Sequence, residues 1–285
     1  MMAAPSRSPN PAAAPYHPVL RDLFARAFPV VMGVLNITPD SFSDGGQFTT
    51  PELALAQAKR MIAEGADILD IGAESTRPYG SEPISADDEL QRLRDILPEV
   101  VALGIPVSID TMKAPVAAWA LGNGAAIAND VWGLQRDPEM ARVIADHNVP
   151  VVVMHNRDSV DPAIDIVADM VAFFTRSLQI AAKANIPQGN IVLDPGIGFG
   201  KTPEQSITAL ARLDELNQFG LPLLVGASRK RFISTVSPSE PHQRIGGSLA
   251  AHLLAAQRGA KIIRAHDVAE TVQALRVASA IEDKR

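Results

Sequence analysis

From residue 30 onward the chain repeats one unit: a short apolar run ending in a polar residue, a loop, and an amphipathic helical stretch. The runs are 30–37, 68–71, 106–109, 125–128, 149–154, 191–193, 221–225 and 261–263, eight in all. Each is continuous rather than alternating, the pattern of a parallel strand buried on both faces. Eight β/α units within 285 residues predict an α/β protein with a single (β/α)8 TIM barrel and an active site at the C-terminal ends of the strands. The alternative is an open doubly wound sheet, which usually has about five or six strands.

The helical stretches carry their own signals. Leu90, Leu93, Leu97, Val100 and Val101 keep one apolar stripe, as do Val268, Val272, Leu275 and Ala278. Thr50-Pro51-Glu52, Asp137-Pro138-Glu139 and Thr202-Pro203-Glu204 each place a capping residue before a proline at the first helical position. Thr202 with Gln205, and Ser85 with Asp88, have capping-box spacing. Residues 1–28 are assigned to a mobile Ala/Pro-rich tail, without periodicity up to about Pro18 and too Pro-broken for a signal peptide; residues 29–285 form one barrel domain.

Lys+Arg 26 against Asp+Glu 32 gives a net charge of −6, so nothing global attracts nucleic acid or anionic lipid, and any anion site must be local. No apolar run reaches the roughly 18–20 residues of a membrane span. The absence of Cys excludes thiolate nucleophiles, disulfides and Cys-based zinc sites, and fits a cytoplasmic location. His17, His147, His242 and His252 read as tail or helix-surface residues. The segment from Gly196 to Thr202 is one residue short of a Walker phosphate loop and reads as a loop ending in a helix cap.

The strand ends carry chemistry. In order they offer Asn36; Asp70 and Glu74; Asp110; Asn129 and Asp130; His155; Asp194; Ser228, Arg229 and Lys230; and Arg264 with His266. Asp110, Asn129 and Asp194 suit a flat heterocycle rich in N–H donors, because a carboxylate accepts two at once. Lys230, Arg264 and His266 form a cationic cluster on the last two strands, a common phosphate position in such barrels. Arg264 and His266 alternate along one strand and so share a face. Arg229 and Arg231 also admit a solvated reading.

These residues sit in longer motifs. Val34-Leu35-Asn36-Ile37-Thr38-Pro39-Asp40-Ser41-Phe42-Ser43-Asp44-Gly45-Gly46 and Asp70-Ile71-Gly72-Ala73-Glu74-Ser75-Thr76-Arg77-Pro78 resemble the two signatures of the dihydropteroate synthase family. Ser108-Ile109-Asp110-Thr111, Asn129-Asp130, the run from Asp194 to Lys201, Gly226-Ala227-Ser228-Arg229-Lys230 and Ile263-Arg264-Ala265-His266-Asp267 match further along. The resemblance implies an enzyme joining 6-hydroxymethyl-7,8-dihydropterin diphosphate to 4-aminobenzoate, releasing diphosphate and 7,8-dihydropteroate. It implies Asp110, Asn129, Met154, Asp194, Lys230 and Arg264 around the pterin, and Asn36, Thr76, Arg264 and His266 at the diphosphate. Phe42, Pro78, Phe199, Ser228 and Lys230 would line the 4-aminobenzoate pocket, and Asp44, Arg77, Asp110 and Lys230 would be the catalytic set. It further implies Mg2+ on Asn36, a homodimer and a sulfonamide target. Two departures stand out: Ala73 where a second Gly is common, and Met154-His155-Asn156-Arg157 in place of Met-His-Met-Gln-Gly. The alternatives are a pterin-binding methyltransferase barrel, which should lack the Ser-Arg-Lys and Arg-x-His pairs, and a non-catalytic pterin-binding paralogue.

Overall fold

A computed structural model describes residues 15–26, 28–37, 50–74 and 83–284. Eight strands close into a parallel barrel in chain order: β1 (Val30–Asn36), β2 (Ile68–Gly72), β3 (Val107–Asp110), β4 (Ile127–Asp130), β5 (Val151–Met154), β6 (Ile191–Asp194), β7 (Leu223–Val225) and β8 (Ala260–Ala265). Every predicted run is a strand. Several extend beyond the predicted end, so Asp110, Asn129, Asp130, Asp194 and Arg264 are strand residues held by the ladder rather than loop residues after it.

The continuous apolar runs resolve into two faces with a period of two. Val30, Met32, Ile68, Ile127, Val152, Val192, Leu224 and Ile262 fill the barrel lumen. Their neighbours Val31, Leu69, Val107, Ala128, Val151, Val153, Leu193, Val225 and Ile263 face the surrounding helices. Those helices are α2 (Thr50–Ala63), α3 (Ala86–Arg94), α4 (Leu97–Val101), α5 (Ala114–Gly122), α6 (Met140–His147), α7 (Ile166–Lys183), α8 (Pro203–Ala211), α9 (Arg231–Val236), α10 (Ile245–Gln257) and α11 (Val268–Glu282).

Four sequence expectations change. The single stripe through Leu90 and Val101 is two helices, α3 and α4, with a break at Asp95–Ile96. Pro98, in the first turn of α4, has no N–H to carry one helix across that point. Asp137 does not start α6, which begins at Met140; its carboxylate accepts from the N–H groups of Glu139 and Ala114. His252 is not a surface residue: it is buried in α10, and burial pushes its pKa down to about 4. Nor does the ordered chain begin at residue 29. Pro18–Phe24 form a further helix, α1, capped by His17 Nδ1, which accepts from the N–H of Val19.

Leu20 and Leu23 of α1 belong to the lumen cluster, so this helix stoppers the N-terminal end of the barrel. A short helix of this kind has too little propensity to form alone, and burial of these two leucines is what holds it. The Thr202–Gln205 capping box of α8 and the Ser85 cap of α3 form as predicted. Leu20→Ala is expected to cost about 2–5 kcal/mol, the range for a fully buried leucine; urea unfolding measures it, and a loss under about 0.5 kcal/mol would show that α1 is not part of the core.

Candidate active site

Ile262 lies in the lumen, so Arg264, two residues further along β8, projects inward at the C-terminal mouth. Its Nε donates to Asp70 Oδ2 at 2.6 Å and its Nη2 to Asp110 Oδ2 at 2.7 Å. Asn129 Nδ2 donates to the same Asp70 oxygen at 3.1 Å. Strands β8, β2, β3 and β4 are thereby laced together across the mouth. Burial works against the Arg264 charge, but Asp70 and Asp110 outweigh it and hold its pKa above the usual arginine range. Burial pushes the Asp110 carboxyl up to about 7, against the pull of Arg264 and with the help of Asp70.

The lacing leaves acceptors over. Asp70 Oδ1, Asp110 Oδ1 and Asn129 Oδ1 are buried and have no hydrogen-bond partner among the described residues. Each such group costs about 1–3 kcal/mol. Asp110 and Asn129 face a narrow cleft whose other walls include Met154, Asp194, Phe199 and Lys230. Asp194 Oδ1 accepts from the N–H of Gly196 at 2.7 Å, and burial raises its pKa to about 6. Lys230 Nζ lies 4.2 Å from the centre of the Phe199 ring, a cation–π contact. The result is a slot with acceptors deep inside, a thioether and an aromatic ring at its sides, and two cations at its rim. That arrangement takes a flat, donor-rich ring carrying an anion.

His266 Nδ1 stands 3.1 Å from Ser228 Oγ, which also accepts from the His266 backbone N–H at 3.2 Å. Ser228 Oγ has the capacity both to donate to Nδ1 and to accept from it, so the contact fixes the orientation of the ring rather than its tautomer. Burial, followed by the charges of Arg264, Arg229 and Lys230, pushes the His266 pKa down to about 3. The cationic cluster expected from sequence is therefore Arg264 and Lys230, with a neutral His266 beside them. Ser228 is buried and its hydroxyl is engaged with His266. Arg229 pairs with Asp267 at 3.0 Å, and Arg157 with Asp169 at 2.8 Å, so neither is a free rim charge.

Asn36 is the last residue of β1, half-buried and in register with Gly72, which is itself in register with Asp110. Among the described residues, no group of three or more His, Cys, Asp or Glu could hold a metal ion. Phe42, Asp44, Thr76, Arg77 and Pro78 lie outside the described residues. A larger cleft opens at the other end of the barrel between Phe24, Phe28 and Lys261, far from these carboxylates.

One residue of the mouth was assigned no role from sequence. Asp70 stands at a strand end, but only the structure shows it orienting both Arg264 and Asn129. The available signal was the period of two on β2, which puts Ile68 and Asp70 on one face. Asp70→Ala is expected to cost at least about 1.5–3 kcal/mol, the worth of a hydrogen bond to a charged group. Denaturant unfolding checks this. The double variant Asp70→Ala with Arg264→Met should lose less than the sum of the single variants, because the two share one network.

Residues 32–266 match the pterin binding enzyme family. The dihydropteroate synthase of Bacillus subtilis is 44% identical over 256 residues, covering 90% of this chain and 89% of that protein. A crystal structure of Xanthomonas albilineans dihydropteroate synthase with 4-aminobenzoic acid superposes with a TM-score of 0.86 at 45% identity, over 90% of this chain and 93% of that one. Another, in complex with 7,8-dihydropteroate, gives 0.82 at 43% identity, over 90% and 94%.

Proposed function

The chain belongs to the pterin-binding enzyme family, and on that footing we propose that its slot holds a dihydropterin ring while the ring's methylene carbon passes to an arylamine. The activity is that of a dihydropteroate synthase, a transferase of folate biosynthesis that joins 6-hydroxymethyl-7,8-dihydropterin diphosphate and 4-aminobenzoate. The observation carrying the residue assignment is the pair of unspent buried acceptors, Asp110 Oδ1 and Asn129 Oδ1, on residues that line the cleft.

In this reading Asp110, Asn129 and Asp194 accept from the N–H groups of the pterin, and Lys230 donates to its acceptor edge. Met154 borders the ring and Arg264 packs against it. An analogue without those donors is rejected, because the protein's own polar groups would be left unpaired. The methylene–oxygen bond breaks with its electron pair leaving on diphosphate. Arg264 and His266, joined by Asn36 and Thr76, receive that charge in a site arranged before the reaction begins. Positive charge left on the pterin is stabilised by Asp110, and the arylamine nitrogen supplies the new bond's electrons and sheds a proton. Phe42, Asp44, Arg77, Pro78, Phe199, Ser228 and Lys230 surround the arylamine. No protein nucleophile takes part.

A metal fits this site in one way only. Mg2+ keeps much of its water and needs few protein oxygens when substrate phosphates supply others. The Asn36 amide oxygen at the mouth suits that mode, whereas a cage of acidic side chains is missing among the described residues. When bound, the ion supplies positive charge to the departing diphosphate. The reading extends to a homodimer acting in the cytoplasm and inhibited by sulfonamides that imitate 4-aminobenzoate. No helix among the described residues is long and apolar enough to cross a membrane.

The test is diphosphate release by the purified protein. Release is expected only with both substrates present. Asp110→Asn should lower kcat/KM at least about 5-fold, the consequence of an unmatched buried polar group worth ~1–3 kcal/mol. Pterin binding without release would return the non-catalytic reading. Separately, turnover should stop in excess chelator, and Asn36→Ala should raise the Mg2+ concentration needed for half-maximal rate. Undiminished turnover in chelator would remove the metal from the mechanism.

A further inference from the structure

Behind the slot lies a polar cluster that the reaction does not use. Lys201 is almost fully buried. Its Nζ donates to His155 Nδ1 at 2.7 Å, to the Gly196 carbonyl at 2.9 Å and to the Phe199 carbonyl at 3.1 Å. Its partners are thus carbonyls and an imidazole, not a carboxylate. His155 is wholly buried, and its Nε2 donates to Asp169 Oδ2 on α7 at 2.9 Å. Because a carboxylate oxygen can only accept, the ring proton sits on Nε2 and the Nδ1 lone pair faces Lys201. Arg157 Nη1 holds the same Asp169 oxygen at 2.8 Å. Burial keeps the His155 pKa down, at about 4, so the imidazole is neutral and able to accept.

The loop after β6 is wound around this ammonium. Gly196 and Gly200 both have positive φ, near 60°. A Cβ on Gly196 would lie 2.0 Å from the His155 carbonyl oxygen, and one on Gly200 would lie 2.4 Å from Arg157 Cβ. Only glycine lets the loop press against the end of β5 while turning two carbonyls toward Nζ. The Phe199 N–H closes the turn onto the Gly196 carbonyl at 3.0 Å. Phe199 then presents its ring to Lys230 in the slot.

We propose that Lys201 is a positioning residue for the arylamine site: from behind the slot it holds the 196–199 turn, and so fixes the Phe199 ring against Lys230. The assignment rests on the function proposed above. It predicts an asymmetry between substrates. The Asp194 backbone is held within the β6 ladder, and only one bond to its carboxylate, from the Gly196 N–H, comes from the turn, whereas Phe199 lies beyond the strand and depends on the turn for its whole placement.

The test compares Lys201→Met with the wild-type protein in two readouts. The KM for 4-aminobenzoate should rise roughly 10-fold or more, as a misplacement near 1 Å can cause. The KM for pterin diphosphate should move less than about threefold, within the effect of one weak contact. Amide hydrogen exchange at Phe199 should quicken without any substrate. In Lys201→Ala, added propylammonium, which replaces the deleted atoms, should bring the 4-aminobenzoate KM back down. If the Lys201 variants do not fold, Asp169→Asn loosens the same chain through His155 and should shift the same KM upward. An active wild type whose variants keep the 4-aminobenzoate KM, or raise both KM values equally, overturns this inference alone. A wild type that releases no diphosphate overturns the function and the inference together.

Discussion

Arg264 between Asp70 and Asp110 is the contact on which the mouth of the barrel depends. Removing a guanidinium and two carboxylates from water is expensive, and their attraction repays the cost only when geometry is good and remaining sites are satisfied. Here the geometry is good, at 2.6 and 2.7 Å, but satisfaction is incomplete: three buried oxygens stay unspent. One cation between two carboxylates also leaves an excess of negative charge, and Asp110, raised chiefly by burial, is raised further by Asp70 against the pull of Arg264. Both deficits point the same way. A ligand with several N–H donors, or one that becomes positive during reaction, relieves them together.

The barrel makes this affordable by separating two tasks along each strand. Lower inward positions are apolar and form a dry plug, sealed by Leu20 and Leu23 of α1. The upper inward positions Asp70, Asp110, Asn129, Asp194 and Arg264 are polar and held by the same ladders. Side chains on strands are placed more accurately than side chains on loops. The charged lattice therefore needs no loop to assemble it.

Much of this was legible in the sequence because period and strand ends carry it. Eight buried runs fix the barrel, and a polar residue at each end marks the mouth. Side-chain partnerships were not legible. Asp70 and Asp110 look alike in sequence, yet one orients other residues and the other faces the cleft. His155 stood at a strand end and read as part of the mouth, but Asp169, fourteen residues beyond it, draws it toward α7 and holds Arg157 as well. His252 was misplaced because α10 is apolar almost all round, so no stripe marked its buried face. The departure at Ala73 is harmless for a reason only packing reveals: its methyl is buried in the outer cluster beneath the helices, away from the slot.

The loop after β2 is organised by the same logic as the loop after β6. Its first stem, at Ala73 and Glu74, is held by Arg92, which donates to the Ala73 carbonyl at 2.8 Å. The second stem is tied back when the Ile84 N–H donates to Glu74 Oε1 at 3.1 Å. Lys113 bridges Glu74 and the buried Glu89 at 2.8 and 2.6 Å, fixing that knot to α3. In both cases a lysine, buried at Lys201 and half-buried at Lys113, fastens the stem of a connection that follows a strand. The ring-binding groups are set by strands, and the stems of these two connections are set by lysines that stand outside the slot. A change in either lysine would therefore act on the site without touching a ligand, which separates the residues that contact substrate from those that decide where the contacts stand.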